Sequence, residues 1–122
     1  MERHTAVAWT LACLASVPAF GAGDAEHGKA LYEARCSACH SIPYNGAGPA
    51  HQGLFGRKAG SAPGFAYSQA LRDSHVVWNE ETLSRWLANP EAVIPGQRMF
   101  VQTPDAADRA DLVAYLKQAT RR

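Results

Sequence analysis

Apolar residues recur at three- and four-residue spacing in three separate stretches of the chain, which is the pattern of helices that bury one face. The first stretch follows Asp24, whose short side chain suits the N-cap position, and it ends at the first cysteine of a closely spaced pair. Its apolar face consists of Ala25, Gly28, Leu31 and Tyr32. These positions predict a first helix that the cysteine pair closes.

The second and third stretches carry charges that suit helix ends. The second begins at the predicted N-cap Asn79, has two glutamates in its first turn and stops before Pro90. The third begins at the sequence Thr103-Pro104-Asp105 and ends in basic residues. The apolar residues of these two predicted helices are Leu83, Trp86 and Leu87 in the second, and Ala107, Ala110, Leu112, Val113, Tyr115 and Leu116 in the third.

No helical or strand period persists in residues 41–74, where nine glycines and prolines interrupt the chain. A loop of this length is uncommon inside a compact domain unless something other than secondary structure organises it, and a large cofactor is such an organiser. The sequence therefore predicts an all-α fold, with three main helices and a long irregular segment arranged around a bound group.

The first residues, 1–21, have the pattern of a secretory signal peptide, because a basic start precedes an apolar run and small residues follow. The apolar run is too short to span a membrane comfortably. A lipoprotein signal ending at Cys13 is the less favoured alternative. Residues 22–122 then form one mature domain of about 100 residues, which is enough to bury one modest core.

The charge balance excludes some classes of partner. The 12 Lys and Arg residues against 11 Asp and Glu residues give a formal net charge of +1. A chain with so small a net charge has no strong electrostatic field around it. Its composition therefore indicates neither nucleic acid nor an anionic membrane as a partner.

The segment Cys36-Ser37-Ala38-Cys39-His40 has the C-x-x-C-H spacing of c-type haem attachment. Two thiols three residues apart at a helix end can reach both vinyl groups of one macrocycle, while the next residue directs its imidazole at the iron. A structural disulfide, a thioredoxin-like pair and a zinc site are the alternatives. Zinc needs further paired ligands, which the other histidines do not supply, and a thioredoxin-like pair opens a helix. The motif therefore favours covalent haem, with His40 as an iron ligand.

The second axial position of such an iron separates an electron carrier from a gas binder or an enzyme. Met99 is the only methionine after the predicted signal peptide, and it follows Ile94-Pro95-Gly96, a turn-forming sequence that can direct a thioether inward. A methionine that fills a gap in the core is the alternative. The chemistry of the residue alone leaves both open.

The order and spacing of the motifs resemble those of class I cytochromes c, the branch that includes mitochondrial cytochrome c and its bacterial relatives. The resemblance covers residues 23–117 and implies the cytochrome c fold, wrapped around one covalent haem. The segments that carry it are Gly23-Asp24-x-x-x-Gly28, the cysteine motif, Gly48-Pro49, Gly53-Leu54-Phe55-Gly56-Arg57, Gly64-Phe65-Ala66-Tyr67-Ser68, Trp78, Trp86-Leu87-Ala88-Asn89-Pro90, Ile94-Pro95-Gly96-x-x-Met99 and Arg109-Ala110-Asp111-Leu112-Val113-Ala114-Tyr115-Leu116.

The resemblance also implies roles for single residues. It makes Met99 the second axial ligand and the Pro49 carbonyl the acceptor of a hydrogen bond from His40. It implies a haem environment in which polar groups lie near the buried propionates. Simple core packing is the alternative for the two aromatic residues of this set. The residues of the haem environment are Pro49, Arg57, Tyr67, Trp78 and Gln97.

Two further expectations concern packing. Gly28 and Tyr32 match the point where the first and last helices of the family cross, opposite Leu112 and Tyr115. His51 departs from the family pattern, which usually has an aliphatic residue at this position. Either the local packing differs, which we favour, or this imidazole lies near the cofactor.

The function implied by the resemblance is that of a soluble periplasmic monomer, not an enzyme, whose iron cycles between iron(II) and iron(III). Its implied partners are complexes to which it docks transiently: a quinol-cytochrome c reductase as donor, and an oxidase, a peroxidase or a photosynthetic reaction centre as acceptor. No nucleic acid is implied. Two alternatives stay open, a small haem enzyme or gas binder and a haem-bearing subunit of a larger dehydrogenase complex.

Overall fold

The computed structural model describes residues 23–121, and this part of the chain is helical with no strand. The predicted signal peptide, residues 1–21, lies outside the described residues. The all-α prediction is confirmed, and the three main helices are those expected. In chain order the helices are α1 (Ala25–Arg35), α2 (Gln69–Asp73), α3 (Glu80–Ala88), α4 (Pro90–Val93) and α5 (Ala106–Ala119). None of these helices is long and apolar enough to cross a membrane.

Hydrogen bonds confirm the two predicted N-caps, Asp24 and Asn79, and show a third at Asp105. The carboxylate of Asp24 accepts bonds from two backbone N–H groups of α1, at 3.0 and 3.1 Å. Asn79 and Thr82 form a capping box, in which each side chain accepts a 2.9 Å bond from the other's backbone N–H. Asp105 accepts a 2.9 Å bond from the Asp108 N–H. Each cap satisfies a donor that the helix itself leaves unpaired, which typically stabilises the fold by about 1 kcal/mol.

The middle of the chain is less irregular than predicted. Residues Gln69–Asp73 form the short helix α2, which Ser68 caps through a 3.3 Å bond to the Leu71 N–H. The chain does not stay irregular after the predicted second helix stops before Pro90. Pro90 begins α4, because a proline is compatible with the first position of a helix. Helices of four and five residues are too short to show a helical period, so the pattern could not predict them.

The core lies between α1, α3 and α5, and the loops add residues to it. All three apolar residues predicted for the second helix belong to it, whereas Ala107 and Ala110 of α5 are exposed, so the buried face of α5 is narrower than predicted. The core residues are Leu31, Tyr32, Leu54, Ala59, Leu71, Trp78, Leu83, Trp86, Leu87, Ile94, Leu112, Val113 and Leu116.

The first and last helices cross in close contact, as expected. Gly28 is buried at the crossing, and an added Cβ there would collide with the backbone carbonyl of Asp111. One turn further on, the rings of Tyr32 and Tyr115 pack with their centroids 5.4 Å apart. Glycine in a helix costs stability, and the close approach of two backbones explains its presence here.

Polar contacts at the same crossing join the two helices. One carboxylate oxygen of Asp111 accepts a 2.7 Å bond from the Asp24 N–H, and the other lies 2.7 Å from Nδ1 of His27. This contact raises the pKa of His27 above its ordinary 6.5 and, together with the Asp24 N–H, lowers the pKa of Asp111 below its ordinary 3.8. The protonated histidine and the ionised carboxylate therefore both favour the folded state.

We expect the pair to make stability depend on pH. The His27 contribution is complete below pH 6.5 and is lost as pH rises through the raised pKa, and the Asp111 contribution is lost as pH falls through its lowered pKa. Thermal unfolding of the haem-loaded protein should therefore show a fall in Tm between about pH 5.5 and about pH 8.5 that is larger than in His27→Gln. His75→Gln, at an exposed histidine outside this contact, serves as the control. Parallel curves for the native protein and His27→Gln would contradict the linkage.

Candidate functional site

The cysteine motif forms a tight turn at the end of α1. The Cys36 N–H still donates to the Tyr32 carbonyl at 2.8 Å, as in the helix, and the N–H groups of Cys39 and His40 both donate back to the Cys36 carbonyl, at 3.1 and 2.9 Å. The pair therefore closes a helix, as predicted. Both thiols are free; Cys36 is half-buried and Cys39 is exposed. Burial raises the pKa of the Cys36 thiol.

The imidazole of His40 is held by the backbone of the following loop. Its Nδ1 lies 2.8 Å from the Pro49 carbonyl oxygen, which can only accept, so Nδ1 carries the proton and donates. Burial lowers the pKa of His40, although the Pro49 carbonyl opposes this shift. The ring is then neutral near pH 7, with the lone pair on Nε2. This is the form in which a histidine binds a metal.

Gly48 gives this imidazole its room. An added Cβ at Gly48 would collide with His40 at Cε1 and lie 2.6 Å from Nδ1 and 2.7 Å from Nε2. The Gly48 N–H also donates to the Cys39 carbonyl at 2.7 Å, which ties the loop to the motif. A side chain at this position would displace the ring, so glycine is required for the placement of His40.

A second histidine lies directly against the first. The rings of His40 and His51 stack with their centroids 4.2 Å apart and their planes 20° from parallel. Nδ1 of His51 is 2.9 Å from the hydroxyl oxygen of Tyr32. Burial, with smaller contributions from His40 and from the charge of Arg57, lowers the pKa of His51 to about 3, so this ring is neutral. His51, which departs from the family pattern, therefore lies next to the candidate ligand His40.

Met99 lies in a loop that α4 holds in shape. The Glu91 carboxylate accepts bonds from the Gly96 N–H at 2.9 Å and from Nε2 of Gln97 at 3.1 Å, and these two contacts lower the pKa of Glu91. Gly96 has φ +88°, a conformation that favours glycine. Met99 packs partly buried against the core, whereas the adjacent Phe100 is 84% exposed. The loop therefore turns the thioether inward.

The other residues of the predicted haem environment fall into two groups. Arg57 donates to the carbonyls of Ala50 and Gln52, both at 3.0 Å, and so holds the loop that follows Pro49. The hydroxyl oxygen of Tyr67 accepts a 3.0 Å bond from the Ala62 N–H. These two side chains brace loops.

Trp78 and Gln97 are both in the interior. Trp78 is 6% exposed and packs edge-on against Trp86, with ring centroids 5.3 Å apart. Gln97 is 4% exposed, and its Oε1 is buried without a hydrogen-bond partner among the described residues. A buried amide oxygen without a protein partner indicates a position where a bound group completes the interior.

A cleft of about 410 Å³ opens beside the motif, lined by residues that include Cys39, His40 and Tyr44. Neither Met99 nor Trp78 lines it. This cleft borders His40 but not Met99, so it is not a space between the two candidate ligands.

Sequence reasoning missed three contacts that shape the site. Tyr32 supports His51, Glu91 holds the loop before Met99, and the side chain of Asn45 bridges the Ala50 N–H at 2.8 Å and the Pro63 carbonyl at 3.0 Å. The only sequence signal was local, namely that acidic and amide side chains close to glycine and proline often bond loop backbone.

The donor set fits a haem of the c type. A neutral imidazole with a free Nε2 and a methionine thioether are ligands that haem iron accepts, and two free thiols stand in the spacing of covalent attachment. Bound haem supplies an iron that gains and loses one electron.

Comparison with known proteins agrees with the geometry. A family model described as cytochrome c matches residues 25–120. Cytochrome c of Euglena viridis is 44% identical over 98 residues, which cover 78% of this chain and 96% of that protein. Cytochrome c2 of Rhodomicrobium vannielii is 42% identical over 105 residues and 83% of each chain. The solved structure of cytochrome cH from Methylobacterium extorquens matches with a TM-score of 0.75 at 42% identity, covering 79% of this chain and 99% of that one.

Cytochromes c are electron carriers rather than enzymes, and they bind haem c covalently. Here Cys36, Cys39, His40 and Met99 stand in the order and spacing typical of such proteins. The family model covers the whole helical domain, from α1 to the end of α5. The chain therefore belongs to the cytochrome c family and is an electron carrier with covalently bound haem c.

Proposed function

We propose that Cys36 and Cys39 attach the haem through two thioether bonds, and that Nε2 of His40 and the sulfur of Met99 are its axial ligands. The observation that carries this assignment is the 2.8 Å bond from Nδ1 of His40 to the Pro49 carbonyl. It fixes the ring in the tautomer that leaves Nε2 free, in the residue directly after the two thiols. The partly buried Met99, on a braced loop, supplies the second donor.

The proposed ligands favour electron transfer over catalysis on a bound substrate. With His40 and Met99 both as ligands, a bound haem iron would keep no open position for a substrate or a gas. His40 and Met99 are each held by hydrogen-bonded loops, so the ligand set stays the same in both oxidation states and little rearrangement opposes the transfer. The remaining haem-environment residues, Arg57, Tyr67, Trp78 and Gln97, exclude water and brace the loops around the bound group.

We further propose where the protein works. Residues 1–21 direct export, and the mature chain is a soluble monomer in the periplasm. It carries single electrons from a quinol-cytochrome c reductase type of complex to an oxidase, a peroxidase or a photosynthetic reaction centre. The pattern of the N-terminal segment supports export, and the similarity to cytochrome c2 of Rhodomicrobium vannielii and cytochrome cH from Methylobacterium extorquens supports a bacterial carrier.

Redox titration of the protein, produced with the haem-attachment machinery, tests the assignment. We expect a Soret band that survives acid-acetone extraction, a one-electron Nernst curve, and the weak red absorption band of methionine-ligated oxidised haem. A haem-loaded protein that lacks this band and binds carbon monoxide readily would favour an enzyme or gas binder. Fixed-stoichiometry co-purification with a dehydrogenase would contradict the free shuttle.

A further inference from the structure

The buried Tyr32 and the half-buried His51 form a polar pair in the interior that the proposed function leaves unused. Burying polar side chains in a small core costs free energy unless they are paired, and here the 2.9 Å bond pairs them. Tyr32 is a core residue, and burial raises its pKa, so the hydroxyl stays protonated. An apolar pair would fill the same space without this cost, which indicates a role beyond packing.

His51 lies in direct contact with the candidate iron ligand His40. Its ring stacks on that of His40 with 4.2 Å between centroids and the planes 20° from parallel. The Pro49 carbonyl fixes one nitrogen of His40, but a single hydrogen bond does not by itself fix the plane of the ring. Contact with a second flat ring restricts that plane. The plane of the ligand imidazole is thus set by two contacts, one in the ring plane and one on its face.

The support for His51 comes from the helix crossing. Tyr32 is in α1, and its ring packs on that of Tyr115 in α5 and meets the His51 ring edge-on, with centroids 5.6 Å apart. The phenol therefore has little freedom, and its hydroxyl holds His51 at a fixed place. A chain of contacts leads from the α1·α5 crossing through Tyr32 and His51 to the imidazole of His40.

Stacking has an electronic consequence as well as a geometric one. The face of an aromatic ring is negative and attracts positive charge. An imidazole that ligates iron carries part of the metal's charge, and it carries more in the oxidised state. A neutral ring on its face therefore stabilises the oxidised state more than the reduced state, which lowers the reduction potential.

We propose that His51 is a positioning residue for His40: held by the Tyr32 hydroxyl, its ring fixes the plane of the ligand imidazole and favours the oxidised protein. This inference rests on the proposed function, because it requires His40 to be an iron ligand. It assigns to a residue that departs from the family pattern a part in setting the reduction potential.

Three variants of the haem-loaded protein test the proposal. His51→Leu removes the ring face, and we expect the ratio of oxidised to reduced protein at fixed ambient potential to fall about threefold, equivalent to a rise of about 28 mV. The anisotropy of the low-spin electron paramagnetic resonance signal, which reports the ligand plane, should change too. His51→Phe keeps a flat ring and should stay near the native potential. Tyr32→Phe removes one oxygen and should shift the potential part of the way.

The outcomes separate the inference from the function. His75→Leu, the same change at an exposed histidine, controls for loss of an imidazole. Unchanged potential and resonance signal in both His51→Leu and Tyr32→Phe, with the methionine band intact, would overturn the inference alone. A His51→Phe variant shifted as far as His51→Leu would assign the effect to polarity and overturn the stacking role. Loss of His40 ligation in the native protein would overturn the proposed function instead.

Discussion

The double variant Cys36→Ala, Cys39→Ala is expected to retain no haem after acid-acetone extraction and to be largely unfolded. Both thiols are free to form the attachment bonds, and no other cysteine occurs among the described residues. The segment between α1 and α2 contains no helix or strand, and we expect it to need the bound group to stay folded. Absorbance after extraction, far-ultraviolet circular dichroism and size exclusion measure the two effects.

A matched control is Ser37→Ala, which changes a residue between the two cysteines and leaves both thiols in place. We expect it to keep the extraction-resistant Soret band and a cooperative unfolding transition. A compact, cooperatively unfolding double-cysteine variant without haem would show that the loops fold without the cofactor. That result would overturn the view that the bound group organises the middle of the chain.

Replacing Met99 by Ala is expected to leave the haem covalently attached, lower the reduction potential by on the order of 100 mV or more, and open the iron to carbon monoxide. The thioether stabilises the reduced state, and alanine offers no donor in its place. Redox titration, the red absorption band and difference spectra with carbon monoxide report the three effects.

Phe100→Ala, at the exposed neighbour, controls for disturbance of the loop. It should keep the red band and exclude carbon monoxide as the native protein does. Carbon monoxide binding that is the same in Met99→Ala and in the native protein would make Met99 a core residue and leave the second axial position unassigned.

The parts of this fold that were predictable depend on near neighbours in the sequence. The predicted N-caps at Asp24 and Asn79 act on backbone groups within three residues, and the cysteine motif is a local spacing. Helices α2 and α4 were missed because four or five residues carry too little periodicity.

The contacts that were not predictable join residues far apart or depend on a missed helix. Tyr32 and His51 are 19 residues apart and belong to a helix and a loop, so no pattern links them. Glu91 reaches Gly96 only because α4 turns the chain back. Arg57 was expected beside the propionates. Its bonds to two backbone carbonyls could not be predicted, because they depend on the course of the loop that follows Pro49.

The α1·α5 crossing has a consequence for how the chain reaches this structure. His27 and Asp111, which are in contact there, are 84 residues apart in the sequence. The contact between α1 and α5 therefore closes a loop that contains nearly the whole domain. A chain growing from its N-terminus cannot form this contact until α5 has been made. The contact must therefore form late. The entropic free-energy cost of closing a loop rises only about 0.6 kcal/mol per doubling of its length. The segment between the two helices can therefore gain or lose residues while the helix contact is kept.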